Sequence, residues 1–240
     1  RELRAQINVR EQFEHKLKHE ALHDALTGLP NRSQLLVTLR NALSRYHADS
    51  QNAFAVLFLD LDRFKVVNDS VGHLVGDELL KEAAKRILAC IREPDMVSRL
   101  GGDEFAIVIA KIHDAVEAVM VAERVIRSLS EPMRIAGKEL YTSASIGIAF
   151  SHARYQQPEE LLRDADVAMY RAKAAGRQRF ALFDEGLRED ALRQLELEGD
   201  LRRGVQRNEF EPWYQPIVRL SDGAVVGYEA LMRWHNPERG

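Results

Sequence analysis

Two acidic pairs, about forty residues apart, are the places where this chain could do chemistry. The later pair, Asp103 and Glu104, sits inside Arg99-Leu100-Gly101-Gly102-Asp103-Glu104-Phe105, and the earlier, Asp60 and Asp62, closes the apolar run Phe54-Ala55-Val56-Leu57-Phe58-Leu59. A glycine pair accepts the positive φ of a tight hairpin and lets a ligand come close to the main chain, so the predicted turn is also a binding surface. Carboxylates at strand ends bind metal or do acid/base work, and two acidic strand ends suit a cation that holds phosphates. Taken alone, an acidic hairpin tip is usually solvated surface, and Asp60-Leu61-Asp62 is a strand running into a polar loop. Each pair gains its meaning from the other.

The elements that must position these acids follow from periodicity. Residues 1–23 read as a charged connector helix whose Leu3, Ile7, Phe13 and Leu17 drift from a strict heptad. His15, His19 and His23 share a face of it, which reads as solvated rather than metal-binding because no acidic or sulfur ligand is fixed nearby. Asn31, after the Leu29-Pro30 turn, is a predicted N-cap for a helix with the stripe Leu35, Leu36, Leu39 and Leu43. The pattern then predicts a strand at 54–60, a helix at 74–91, strands at 96–100 and 105–110, a helix at 115–130 with an Asp114/Glu117 capping box, and a strand at 141–150.

The expected class is therefore α+β, with a ferredoxin-like βαββαβ core, antiparallel sheet and both helices on one face. That order makes Asp60 and Asp103 neighbours in space. An extra helix at 159–175, stopped by Gly176, and a short strand at Phe180-Ala181-Leu182-Phe183 complete a domain of 24–184. A charged linker helix, 185–207, leads to 208–240, too short to enclose a core and read as the truncated start of a second domain.

Composition narrows the partners. A net charge of -3 over 240 residues with 45% hydrophobic content is ordinary globular balance and argues against a general nucleic-acid binder. The single cysteine, Cys90, excludes an internal disulfide and suits a reducing cytoplasm. No apolar run reaches the length of a membrane span, so membrane attachment is expected only through flanking regions.

Taken in order, Asp24-Ala25-Leu26-Thr27-Gly28-Leu29-Pro30-Asn31-Arg32, Asp60-Leu61-Asp62-Arg63-Phe64-Lys65, Asn68-Asp69, Gly72-His73, Gly76-Asp77, the Gly-Gly-Asp-Glu-Phe signature and Ala168-Met169-Tyr170-Arg171-Ala172-Lys173 resemble a GGDEF diguanylate cyclase domain, a nucleotidyl-cyclase-like palm. The resemblance implies that two GTP condense to cyclic di-GMP at the interface of a homodimer, with Mg²⁺ or Mn²⁺ held by Asp60, the Leu61 carbonyl, Asp103 and Glu104. It assigns Asp103, Glu104 and Lys173 to catalysis, Asp103 as proton acceptor or metal-bound base.

Lys65, Lys173 and Arg177 can neutralise a triphosphate, although a cation near a helix C-terminus such as Lys173 is also favoured by the dipole. Asn68 and Asp77 have side chains suited to the guanine edge; Asp77 could equally serve as first-turn charge for the next helix. The resemblance counts Phe64 in the GTP-binding set, although its residue type reads, like that of Leu100, as packing. Arg92-Glu93-Pro94-Asp95 stands where the family places an Arg-x-x-Asp inhibitory product site, or is simply a helix end with a cation and a proline stop. The C-terminal piece resembles the beginning of an EAL phosphodiesterase β/α barrel, with Gln215, Glu229 and Arg233 at family positions and the later ligands absent. A non-catalytic GTP or cyclic di-GMP receptor controlling such a phosphodiesterase is the alternative reading.

Overall fold

The computed structural model describes residues 21–184, 200–201 and 203–235. Residues 1–20 of the connector helix expected at 1–23, with His15 and His19, and most of the linker helix expected at 185–207 lie outside the described residues, and His23 forms an isolated bridge with Pro30. The chain divides into two units, 1–187 and 188–240.

The first unit is organised around β1 (Ala55–Leu61), buried at every residue. Burial on both faces is why its sequence is an unbroken apolar run rather than an alternating one. β1 lies between β3 (Glu104–Ile109) and β6 (Ala144–Phe150), antiparallel to both; β2 (Met96–Gly101) borders β3 and β7 (Phe180–Leu182) joins β6 in parallel. The order β2-β3-β1-β6-β7 is the ferredoxin-like sheet with one added strand.

Odd residues of β1, Leu57 and Leu59, pack with Leu79, Ala83 and Ile87 of α3 (His73–Leu88) and Ala118, Ala122 and Val125 of α4 (Ala115–Ser130). Even residues, Val56 and Phe58, pack with Leu35 and Leu39 of α1 (Arg32–Ala48) and Leu161 and Ala165 of α5 (Pro158–Ala174). The caps follow the sequence. Asn31 accepts from the N–H groups of Ser33 and Gln34, Asp114 accepts from Glu117, and the Glu117 carboxylate reaches back to the His113 N–H.

Two elements escaped the sequence pattern. α2 (Phe64–Val71) is a separate short helix, divided from α3 by Gly72 at φ 89°. A small hairpin, β4 (Met133–Ile135) and β5 (Lys138–Leu140), turns through Ala136 and Gly137, both at positive φ, as a tight two-residue loop requires. It takes up the stretch before β6, which starts at Ala144 rather than 141.

The second unit contains β8 (Phe210–Val218) and β9 (Val225–Trp234), an antiparallel pair in which Gln215 stands opposite Glu229. The Arg233 guanidinium lies 5.6 Å from the Trp213 ring centre, a cation–π contact.

Candidate active site

Strand register brings the two acidic segments together. Asp60 is the cross-strand partner of Glu104, and the Leu61 N–H donates to the Asp103 carbonyl at 3.2 Å. The hairpin tip turns through Gly101 and Gly102 at φ 143° and 53°, a path that side chains rarely take. Residues directly opposite in a ladder share a face, and for Asp60 and Glu104 that is the face covered by α5. There the Lys173 ammonium reaches the Asp60 carboxylate at 2.7 Å.

α5 comes this close because Gly147 of β6 has no side chain. A Cβ there would stand 1.9 Å from the Ala165 carbonyl oxygen and 2.2 Å from the Met169 nitrogen.

The electrostatics are those of a crowded acidic site. Burial pushes the Asp60 carboxyl above the usual carboxylate range; the Lys173 hydrogen bond opposes this and the Asp103 charge adds to it. Glu104 is also raised, first by burial and then by the charges of Asp166, Asp60 and Asp103. Asp166 was not in the sequence-derived set. Its signal was its place on α5, two turns before Lys173 and on the same face.

These hard oxygen donors, the Leu61 carbonyl among them, are the type that Mg²⁺ and Mn²⁺ accept, and their mutual repulsion fits the site for a divalent cation. Among the described residues no three His, Cys, Asp or Glu side chains are already gathered at metal-holding geometry.

The hairpin is anchored by a pair that motif reading had left unassigned. Arg99, 9% exposed, donates to the Gly102 carbonyl at 3.1 and 2.7 Å and to both Asp24 oxygens at 2.9 and 3.1 Å. Burial raises the Asp24 carboxyl, but hydrogen bonds from Thr27 and Arg99 outweigh it and hold the group below its ordinary value. Asp62, the other half of the first acidic pair, turns to β6 and accepts from the Ser143 and Ser145 hydroxyls at 2.6 and 2.7 Å.

The residues expected to meet a nucleotide base converge at the α2–α3 junction. Asn68 Oδ1 is buried with no hydrogen-bond partner. It lies where a Cβ on Gly76 would be 1.8 Å away, so that glycine makes the space for the amide. Asp77, half-buried beside it, falls outside the first turn of α3, which begins at His73 and has no acidic residue there; the helix-dipole account of Asp77 therefore loses its ground. Phe64 is buried among core residues, as its packing role predicts, and Lys65 is exposed. No side chain caps the N-terminus of α2, leaving backbone N–H groups suited to an anion.

Arg177, at φ 64° past the end of α5, is half-exposed and 3.9 Å from Asp62. Arg92 and Asp95 lie away from this cluster, on a cleft of about 220 Å³ that they share with Glu117, Met120 and Arg124. Arg92 pairs with Glu117 at 2.9 Å, while Asp95 accepts from the Ala110 N–H at 3.0 Å.

Residues 21–179 match the family model described as "Diguanylate cyclase, GGDEF domain". The chain belongs to the GGDEF family. Residues 198–240 match the EAL domain, of which they are a short fragment.

The GGDEF domain is 42% identical to the crystal structure of the GGDEF domain of YfiN (TpbB) from Pseudomonas aeruginosa, with a TM-score of 0.63 covering 66% of this chain and 98% of that one. The GGDEF domain of DgcB from Caulobacter crescentus, solved in complex with cyclic di-GMP, aligns with a TM-score of 0.63 at 27% identity over 68% of this chain and 93% of that one. Among curated proteins, the bifunctional diguanylate cyclase/cyclic di-GMP phosphodiesterase MucR of Pseudomonas aeruginosa is 44% identical over 92% of this chain and 32% of its own length. The cyclic di-GMP phosphodiesterase NbdA of the same organism is 37% identical over 98% of this chain and 30% of its own length. The chain thus spans about a third of the length of these relatives. Among the described residues no helix is long and apolar enough to cross a membrane.

Proposed function

We propose that the GGDEF domain is an active diguanylate cyclase: the 3′-hydroxyl of one GTP attacks the α-phosphorus of a second and expels pyrophosphate, and the reciprocal attack expels a second pyrophosphate and closes cyclic di-GMP. The observation that carries this reading is Asp60 paired across the ladder with Glu104, with Lys173 already on Asp60 at 2.7 Å. Each domain holds one GTP, so the two-fold symmetric product calls for two domains face to face.

Asp60, the Leu61 carbonyl, Asp103 and Glu104 would hold Mg²⁺ or Mn²⁺. Such an ion, when bound, polarises a phosphoryl oxygen and lowers the pKa of the attacking hydroxyl. Asp103, at the rim of the hairpin, accepts the proton of that hydroxyl. Lys173 exchanges Asp60 for a phosphate oxygen, and Lys65 and Arg177 neutralise the rest of the triphosphate. Asn68 and Asp77 read guanine: the carboxylate accepts from N1–H and the exocyclic amine. A site whose buried polar groups need partners rejects a base that cannot supply them by about 10⁴ to 10⁵. Arg92 and Asp95, with Arg124 beside them, form an inhibitory product site once Arg92 exchanges Glu117 for guanine or phosphate.

The test is incubation of the chain with GTP and Mg²⁺ and chromatography of the products. Cyclic di-GMP and pyrophosphate are expected, lost in Asp60→Asn; near-normal rates in Asp60→Asn at saturating Mg²⁺ would overturn the metal assignment. A second reading, a GTP-binding regulator of an attached phosphodiesterase, draws on the relative NbdA, named for phosphodiesterase activity alone. GTP binding without turnover would favour it.

A further inference from the structure

The buried carboxylate of Asp62 and the loop it faces carry an inference about phosphate binding. After α5 the chain runs through Gly176, Arg177 and Gln178 at φ 114°, 64° and 50°. Three consecutive left-handed residues, two of them not glycine, persist only where the surroundings hold them. The Lys173 and Ala172 carbonyls accept from the Gly176 and Arg177 N–H groups at 3.2 and 3.1 Å, and Gln178 is held by Asp62, 5% exposed. Its Oδ2 accepts from the Gln178 N–H at 3.1 Å and from the Ser143 hydroxyl at 2.6 Å, and its Oδ1 from the Ser145 hydroxyl at 2.7 Å. On the far side the Gln178 amide donates to the Ser130 hydroxyl at 3.0 Å, tying the loop to the end of α4.

The Arg177 guanidinium stands 3.9 Å from the same carboxylate with about half of its side chain, 51%, in solvent. That is close enough to be oriented and too long to be a hydrogen bond.

We propose that Asp62 is a positioning residue: it fixes the loop 176–179 so that Arg177 is presented to the nucleotide's phosphates, and contributes to GTP affinity through that arginine alone. The inference rests on the triphosphate role proposed for Arg177.

The experiment is calorimetric titration of GTP and of guanosine into the 240-residue chain, read as the ratio of the two affinities. Asp62→Asn retains the size of the side chain and can still accept from the Gln178 N–H through its amide oxygen, but it removes the charge that orients the Arg177 guanidinium. The preference for GTP over guanosine should fall about tenfold, the worth of one charge-assisted hydrogen bond, with guanosine affinity unchanged. In an Arg177→Ala background Asp62→Asn should cause no further fall, because the two residues act as a unit. Gln178→Pro leaves the buried carboxylate and its serines in place while removing the N–H and forbidding positive φ. It should reproduce the loss, and it decides the matter if Asp62→Asn does not fold.

An unchanged ratio in Asp62→Asn or, where that variant does not fold, in Gln178→Pro, or an equal fall with and without Arg177, overturns the inference while leaving the site intact. A wild-type chain that binds GTP no better than guanosine overturns the phosphate reading of the site, and this inference with it.

Discussion

Gly147→Ala is the sharpest test of how the fold builds the site. Replacing a strand glycine by alanine at a compatible backbone angle ordinarily stabilises a protein by about 0.4–1 kcal/mol, because the unfolded chain loses freedom. Here the added Cβ would meet the Ala165 carbonyl at 1.9 Å and the Met169 nitrogen at 2.2 Å. Both are main-chain atoms of α5 and cannot rotate away. Reaching an ordinary contact of about 3.5 Å requires α5 and β6 to separate by about 1.5 Å.

Forced expansion of a packed interface costs about 1–3 kcal/mol, which exceeds the entropic gain. The melting midpoint of a domain this size should fall by about 2–8 °C. The same displacement carries Lys173 off Asp60, and a misplacement of about 1 Å at a catalytic centre reduces turnover about 100-fold. Differential scanning calorimetry together with cyclic di-GMP formation checks both. A melting point at or above wild type with full activity would show that α5 is not held by backbone contact, and the account of how Lys173 is placed would fall.

Gly76→Ala should behave in the opposite way, since its Cβ meets the movable Asn68 amide at 1.8 Å: helix propensity gains up to about 1 kcal/mol, while GTP affinity falls and discrimination against ATP shrinks in competition binding. Glu104→Gln should abolish turnover yet raise the melting point at neutral pH without divalent cation. The raised pKa of Glu104 means that its folded form is favoured below the ordinary value of 4.5 and loses stability as pH rises through the folded value; a variant no more stable than wild type at pH 8 would contradict this. Asp24→Asn should cost about 1.5 kcal/mol at pH 7, because Arg99 and Thr27 lose the charged acceptor while Arg99 keeps its bonds to the Gly102 carbonyl. Because Asp24 titrates below its ordinary 3.8, the difference should vanish as pH falls through that lowered value; urea melts across pH 2–7 measure it.

The parts of this molecule that were legible in its sequence are those set by period and spacing. An apolar run too continuous for an edge strand places β1 at the centre of the sheet, and the βαββαβ order then makes Asp60 and the glycine turn neighbours before any coordinate is known. The length of each strand fixes which acids face each other.

What was not legible depends on single contacts. Nothing in Phe64-Lys65-Val66-Val67-Asn68 separates a helix of its own from the following one; Gly72 at φ 89° does so. Asp62 reads as the twin of Asp60 in a two-apart spacing. Only the Ser143 and Ser145 hydroxyls, eighty residues onward, divert it to another task. Asp166 gives no local signal beyond helical phase with Lys173.

The same contacts explain how the fold tolerates a site that works against its stability. Asp60 is buried and Glu104 half-buried beside it, with one ammonium among several acids, an arrangement that raises both groups and weakens the apo protein as they ionise. Two other carboxylates, Asp24 and Asp62, are in contrast fully engaged: one by Arg99 and Thr27, the other by two hydroxyls and a backbone N–H. Those anchors hold the hairpin tip and the Arg177 loop without drawing on the reactive acids. The cluster can then keep its unmet demand for positive charge, and that demand is what binds a divalent cation and a nucleotide. If the anchors were weakened, the cluster's repulsion would be relieved by the loops moving apart instead. Affinity for GTP should therefore fall in Asp24→Asn even though Asp24 touches no part of the nucleotide site.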